Sequence, residues 1–202
     1  VTAVIEAGLV VGYPFLATAG VALFGARTAA VLLFALFGLG QLRHLIARPR
    51  EARAVLAMAA VIAVPLLVAA LFDDPRVMLA VPTLVNLALL AQFGLSLRAE
   101  RPMVERFARL QVDDLSPAEL RYCRSVTVTW CAFFAANGAT AALLAALAPR
   151  SWWTLYTGAI SYALMGALFT VEYAVRKARF GRFGDGALDR ILCRVLRPAA
   201  RP

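Results

Sequence analysis

Cysteine and histidine are scarce in this chain, with three of the first and one of the second. Cys123, Cys131 and Cys193 show no C-x-x-C spacing, so no disulfide framework is expected. The single histidine, His44, stands among arginines with no nearby cluster of Cys, Asp or Glu. A zinc site takes four ligands, or three and a water, so His44 reads as a solvated or headgroup-facing side chain and neither metal nor cofactor is expected. Acids are also sparse, 12 against 21 Lys and Arg, and only Glu6 and Glu172 fall inside long apolar stretches. Both lie near the end of their stretch, and the lack of an acid at mid-stretch argues against a proton-coupled or ion-coupled pump. No G-x-S-x-G, H-E-x-x-H, Walker or dinucleotide fingerprint occurs, and no base stands near a nucleophile, so the chain reads as a non-enzyme.

What is abundant is apolar surface. Hydrophobic residues make up 62% of the 202, charged residues 16%, and the mean hydropathy is +0.76, too apolar for an ordinary soluble domain. The charges are also segregated. Eighteen of the 21 basic residues lie in alternate gaps between apolar stretches: Arg43 to Arg53, Arg98 to Arg124, and Arg176 to Arg201. The other gaps hold only Arg27, Arg76 and Arg150. Positive residues near helix ends are retained on the cytoplasmic side, so this asymmetry predicts orientation as well as class. The net charge of +9 therefore points to anionic headgroups rather than nucleic acid.

A helix needs roughly 20 mostly apolar residues to cross about 30 Å of hydrocarbon. Six stretches meet or approach that: Val4 to Phe24, Thr28 to Leu45, Val55 to Leu71, Val77 to Leu97, the distal part of a helix starting at Pro117, and Trp152 to Val175. Ala17-Thr18-Ala19 has the look of a signal-peptidase site, but no Lys or Arg precedes Arg27, so the first stretch is expected to be a retained span. The first hairpin is the weakest of the set, with a short loop and marginal length. Turns are expected at Gly25-Ala26-Arg27, Asp73-Asp74-Pro75 and Pro149-Arg150-Ser151. Ser116, Pro117 and Glu119 have the spacing of an N-cap, a first helical position and a capping-box partner, so a helix of about 30 residues starts there and runs to Ala148-Pro149. The expected fold is all-α: an integral membrane helical bundle over residues 1–179 with about six transmembrane helices, both termini cytoplasmic, a cytoplasmic segment at 98–124, and a basic amphipathic cytoplasmic tail at 180–202.

Candidate functional residues are few. Asn86 and Asn137 are the deep polar groups, and either tie helices together or line a cavity with Tyr162. Glu172 has Arg176 one turn on, the spacing of an interfacial ion pair. Trp152, Trp153 and Tyr156 gather at one end of the last span, as expected of headgroup anchors. The stretch Pro102 to Leu110 reads as an amphipathic helix with Met103, Phe107 and Leu110 opposite Glu105, Arg106 and Arg109, lying in the headgroups or binding a partner. Leu188, Ile191, Leu192, Val195 and Leu196 give the tail the same character.

The run Pro102-Met103-Val104-Glu105-Arg106-Phe107-Ala108-Arg109-Leu110, then Trp130, Phe133-Phe134, Asn137-Gly138 and Ala148-Pro149-Arg150-Ser151-Trp152-Trp153-Thr154-Leu155-Tyr156, resembles a family of bacterial inner-membrane proteins. Members are typically encoded among fatty-acid-synthase-like enzymes that build aryl-polyene or xanthomonadin-type pigments. A more distant likeness, in the order of a Pro-led segment, a Trp and Phe-Phe span and a Trp-bearing turn, is to the intracellular septation protein A family. The resemblance implies a setting, the bacterial cytoplasmic membrane beside lipid-like polyketide synthesis, and supplies no catalytic residues. The expected role is that of an accessory protein for synthesis or export of an aryl-polyene-type lipid, with Arg106, Arg109, Arg121 and Arg124 recruiting acyl-carrier or synthase proteins. A lipid or polyene carrier and a septation-type envelope structural protein are the alternatives, and a homo-oligomer is left open.

Overall fold

The computed structural model describes residues 2–47, 52–109, 112 and 114–180, with side chains at 12–39, 60–109, 112 and 114–180. The side chains of Glu6 and His44, and the tail beyond Phe180 with Cys193, lie outside the described residues. Among those described, every regular element is helical: α1 (Thr2–Phe24), α2 (Ala26–Ala47), α3 (Ala52–Phe72), α4 (Pro75–Leu79), α5 (Val81–Ser96), α6 (Met103–Ala108), α7 (Pro117–Leu147), α8 (Arg150–Leu155) and α9 (Ser161–Phe180). A π-turn at Tyr156–Ile160 joins α8 to α9 without a break.

The turns fall where Gly, Asp and Pro dictate. Gly25 has φ +81°, a conformation that glycine adopts without strain, and α2 starts at the next residue. Asp74 caps α4 by accepting from the Arg76 backbone N–H at 2.9 Å, with Pro75 at the first helical position. At α7 the capping box is complete: Ser116 Oγ accepts from Glu119 N at 3.3 Å, and Glu119 Oε2 accepts from Ser116 N at 2.8 Å.

Among the described residues, three continuous helices are long and apolar enough to cross a membrane: Pro75–Ser96, Pro117–Leu147 and Arg150–Phe180. Within the residues whose side chains are described, α1 to α3 contribute the apolar stretches Gly12–Phe24, Ala26–Leu39 and Ala60–Phe72. Large side chains on these helices face outward, with Phe72, Leu23 and Leu71 exposed by 76%, 73% and 65%. A surface of this kind suits lipid rather than water.

Two packed clusters hold the bundle. In the first, Ala17, Ala29, Ala30, Leu66, Ala69 and Met78 bring α1, α2, α3 and α4 together, small residues allowing the close approach. In the second, Val126, Trp130 and Phe134 of α7 pack against Phe93 of α5 and Leu168 of α9. The aromatic rings here meet edge-on or tilted, and Trp130 also meets Phe169, with centroids 4.4 Å apart and planes at 53°. The turns at 25–27 and 73–75 meet, because Arg27 N donates to Asp73 Oδ1 at 2.8 Å and Arg27 Nε to the Ala70 carbonyl at 3.1 Å. The Gly25 turn, the Asp73 turn and the start of α8 thus share one end, and Thr18 Oγ1 lies 2.8 Å from Thr154 Oγ1. The other end carries α6, the start of α7 and the end of α9.

Candidate functional site

The long helix α7 sets the depth of everything else. Its 31 residues measure about 46 Å at 1.5 Å each, more than hydrocarbon thickness. Short α6 lies against its first eleven residues: Val104 N donates to Thr127 Oγ1 at 3.3 Å, and Thr127 Oγ1 donates to the Cys123 carbonyl at 2.8 Å. Ser96, in the last turn of α5, ties the start of α6 down by accepting from Met103 N at 2.9 Å. Beyond Thr127 the stretch Val128 to Leu147 remains, which spans about 30 Å. Asn137 stands at its middle.

There the two deep amides are in direct contact. Asn137 Nδ2 donates to Asn86 Oδ1 at 3.0 Å and to Ser161 Oγ at 2.8 Å, while Asn137 Oδ1 accepts from the Tyr156 hydroxyl at 2.9 Å. Asn86 Nδ2 donates to the Pro82 carbonyl at 2.8 Å. Both donor positions of Asn137 and its carbonyl are thus occupied by protein partners from α5, the π-turn and α9. Gly138 makes the approach feasible, since a Cβ there would stand 3.0 Å from Asn86 Cβ.

The sequence pattern groups Tyr162 with the amides, and the bonds to Asn137 come from two further residues, Tyr156 and Ser161. In an α-helix, residues five apart point about 140° away from each other. In the π-turn the Ser161 N–H bonds the Tyr156 carbonyl, an i to i+5 link that widens the turn and brings both side chains to Asn137. Tyr162 is the half-buried neighbour of Ser161. The same turn corrects the expected anchor belt. Trp152 is exposed, whereas Trp153 is fully buried and Tyr156 turns inward to Asn137. At Gly158, a Cβ would collide with the Phe15 ring, so the missing side chain is what seats α1 on the π-turn.

Glu172 and Arg176 pair as their spacing implies, with Glu172 Oε1 3.5 Å from Arg176 Nε. The Tyr122 hydroxyl donates to the Glu172 backbone carbonyl at 3.2 Å, tying α7 to α9 below the aromatic cluster. Helix α6 turns Glu105 toward the protein and Phe107 away from it. Glu105 is buried and Phe107 is 54% exposed, because Pro102, Glu105 and Ala108 form the side facing the protein. Glu105 is charge-compensated there by Arg109, whose Nε donates to Glu105 Oε1 at 2.9 Å. Arg109 is accordingly committed within the protein. Arg106, Arg121 and Arg124 are exposed at the same end of the molecule.

Sequence reasoning passed over Ser96 as the tie for α6 and Tyr156 as a partner of Asn137. Ser96 stands seven positions before Met103, too far for a capping signal, and no sequence signal marks a π-turn. Among the described residues no cluster of His, Cys, Asp and Glu could hold a metal ion. No family model matches the chain, and no curated protein or solved structure is significantly similar to it.

Proposed function

We propose that this protein is an accessory protein of the bacterial inner membrane, with six spans and cytoplasmic termini, that recruits soluble acidic carrier or synthase proteins for synthesis or export of an aryl-polyene-type lipid. The observation that carries the recruiting role is the setting of Arg106, Arg121 and Arg124. They are exposed on α6 and on the part of α7 left over once about 30 Å of that helix is assigned to hydrocarbon. Orientation follows from the basic asymmetry, and the lipid class from the resemblance carried by Pro102 to Leu110 and Ala148 to Tyr156. The carrier reading is less well supported, because both donor positions of Asn137 and one acceptor position of its carbonyl already serve protein partners.

Docking of this kind is electrostatic and exposed, so it weakens with salt. The test is binding of purified acyl-carrier protein to the full chain in nanodiscs. Binding is expected to fall by about tenfold or more between 50 and 500 mM salt (roughly a Debye length of 14 Å shortened to 4 Å) and to vanish in the triple variant Arg106→Glu, Arg121→Glu, Arg124→Glu. Salt-insensitive binding, or binding that survives the triple reversal, overturns the reading.

A further inference from the structure

At the α6 end, a cleft of about 70 Å³ opens between the connection that follows α6, the start of α7 and the end of α9. Val112, Leu115, Tyr122 and Phe180 give it an apolar wall. Its inner side includes Cys123, five residues before Val128 and thus about 7 Å beyond the stretch assigned to hydrocarbon. Acyl chains end below that depth, so the wall faces headgroups and water. The charged groups around it are engaged within the protein: Glu105 with Arg109, Glu172 with Arg176, and Lys177, Glu119 and Asp114 with neighbours of their own. What the cleft offers an occupant is therefore its apolar wall. Small-molecule pockets usually run to about 300 Å³ or more, and a cavity of about 150 Å³ holds benzene. A cleft of 70 Å³ suits one branched alkyl side chain.

For a free partner, one buried aliphatic side chain is a weak contact, because association costs translational and rotational freedom. A tethered segment meets the same cleft at an effective concentration in the mM range. The chain itself supplies such a segment. Phe180, the last residue described, lines the cleft, and residues 181–202 continue from it. Gly181, Gly184 and Gly186 permit a reversal of direction, and the seven residues 181–187 reach at most about 25 Å. At 3.6 residues per turn, Leu188, Ile191, Leu192, Val195 and Leu196 share one side of a helix, with Arg190, Arg194 and Arg197 on the other.

We propose that the cleft is the docking site of this chain's own tail, which seats one aliphatic side chain from residues 188–196 against Val112 and Leu115 and turns its arginines to water. The contact is independent of what Arg106, Arg121 and Arg124 recruit, and it adds Arg190, Arg194 and Arg197 to the end that exposes them.

The test is disulfide trapping in the full chain in phosphatidylcholine nanodiscs, with the three native cysteines replaced by serine. Val112→Cys is combined in turn with a single cysteine at each position from 188 to 197 and oxidised with copper phenanthroline. A disulfide needs Cα atoms within about 7 Å of each other. An intramolecular disulfide is expected to form about tenfold faster or more at one or more of positions 188, 191, 192, 195 and 196 than at 190, 194 and 197. Equal rates at all positions, disulfides only between two copies, or no trapping overturns the proposal. Trypsin cleavage after Arg194 in the native-cysteine background gives a second readout, because cleavage follows the undocked population. Val112→Trp, which fills the cleft, is expected to speed it about tenfold, with Leu115→Phe as the second filling variant should Val112→Trp lower the thermal transition. Unchanged cleavage in a filling variant that melts like the parent overturns the docking. So does protection of Arg194 that appears only when phosphatidylglycerol is added, the result of a tail lying on headgroups.

Discussion

Gly138 and Gly166 are both glycines inside helices, where alanine is intrinsically favoured by about 1 kcal/mol. Their surroundings reverse the expectation at one of them. A Cβ at Gly138 would press on Asn86 Cβ, an atom fixed to the α5 backbone, whereas nothing lies within 4 Å of one at Gly166. Gly138→Ala is therefore expected to lower the thermal transition in detergent and Gly166→Ala to leave it or raise it; shifts of the same sign would refute the close α5–α7 packing. Asn137→Leu strips partners from Asn86, Ser161 and Tyr156. Hydrogen bonds between membrane helices average about 0.6 kcal/mol each, so a loss of roughly 1–2 kcal/mol is expected, with Tyr156→Phe and Ser161→Ala each costing less. A loss no larger than that of Ser161→Ala would show that the network contributes little to stability. Asn86 and Asn137 stand out in the sequence as deep polar residues in apolar surroundings, and that is legible without coordinates. That they meet each other, rather than a cavity, depends on the facing of two helices and is not.

At the scale of elements, α7 is legible from end to end because its signals are local: Ser116, Pro117 and Glu119 at one terminus and Pro149 just past the other. Ser116→Ala removes the acceptor for Glu119 N, and about 1 kcal/mol of local stability is expected to go with it. Hydrogen exchange should show this as faster exchange in the first turn with no change beyond Thr127; an effect spread along the whole helix would mean that the first turn and the span unfold together. The π-turn is opaque to the same reasoning. A period of 3.6 residues assigns Tyr156 and Ser161 to different sides of one helix, and only the i to i+5 bond reunites them. The facing of helix α6 is set from outside its own six residues, by the ties from Ser96 and Thr127 to its first two N–H groups.

For the whole molecule, the arrangement of ends predicts a labelling pattern. In a background with the three native cysteines replaced by serine, single cysteines at Arg76 and Arg150 should react with a membrane-impermeant maleimide on intact cells, while those at Arg98 and Arg124 should react only after permeabilisation; all four are exposed. The reverse pattern would invert the orientation, and equal reaction at all four would remove the spans. Thr28→Cys tests the first hairpin in the same way, and protection there would mean that its turn does not reach the outer face. The contacts of that hairpin also have a bearing on how the protein is made. Phe15 finds its seat at Gly158, and Thr18 finds Thr154, 136 positions further along the chain. A ribosome delivers α1 well before its docking surface, so that helix goes without its partner while most of the polypeptide is still being translated. Chains cut short before the π-turn would keep that early face uncovered, which makes them ready substrates for membrane proteases and gives the cell a way to tell finished copies from unfinished ones.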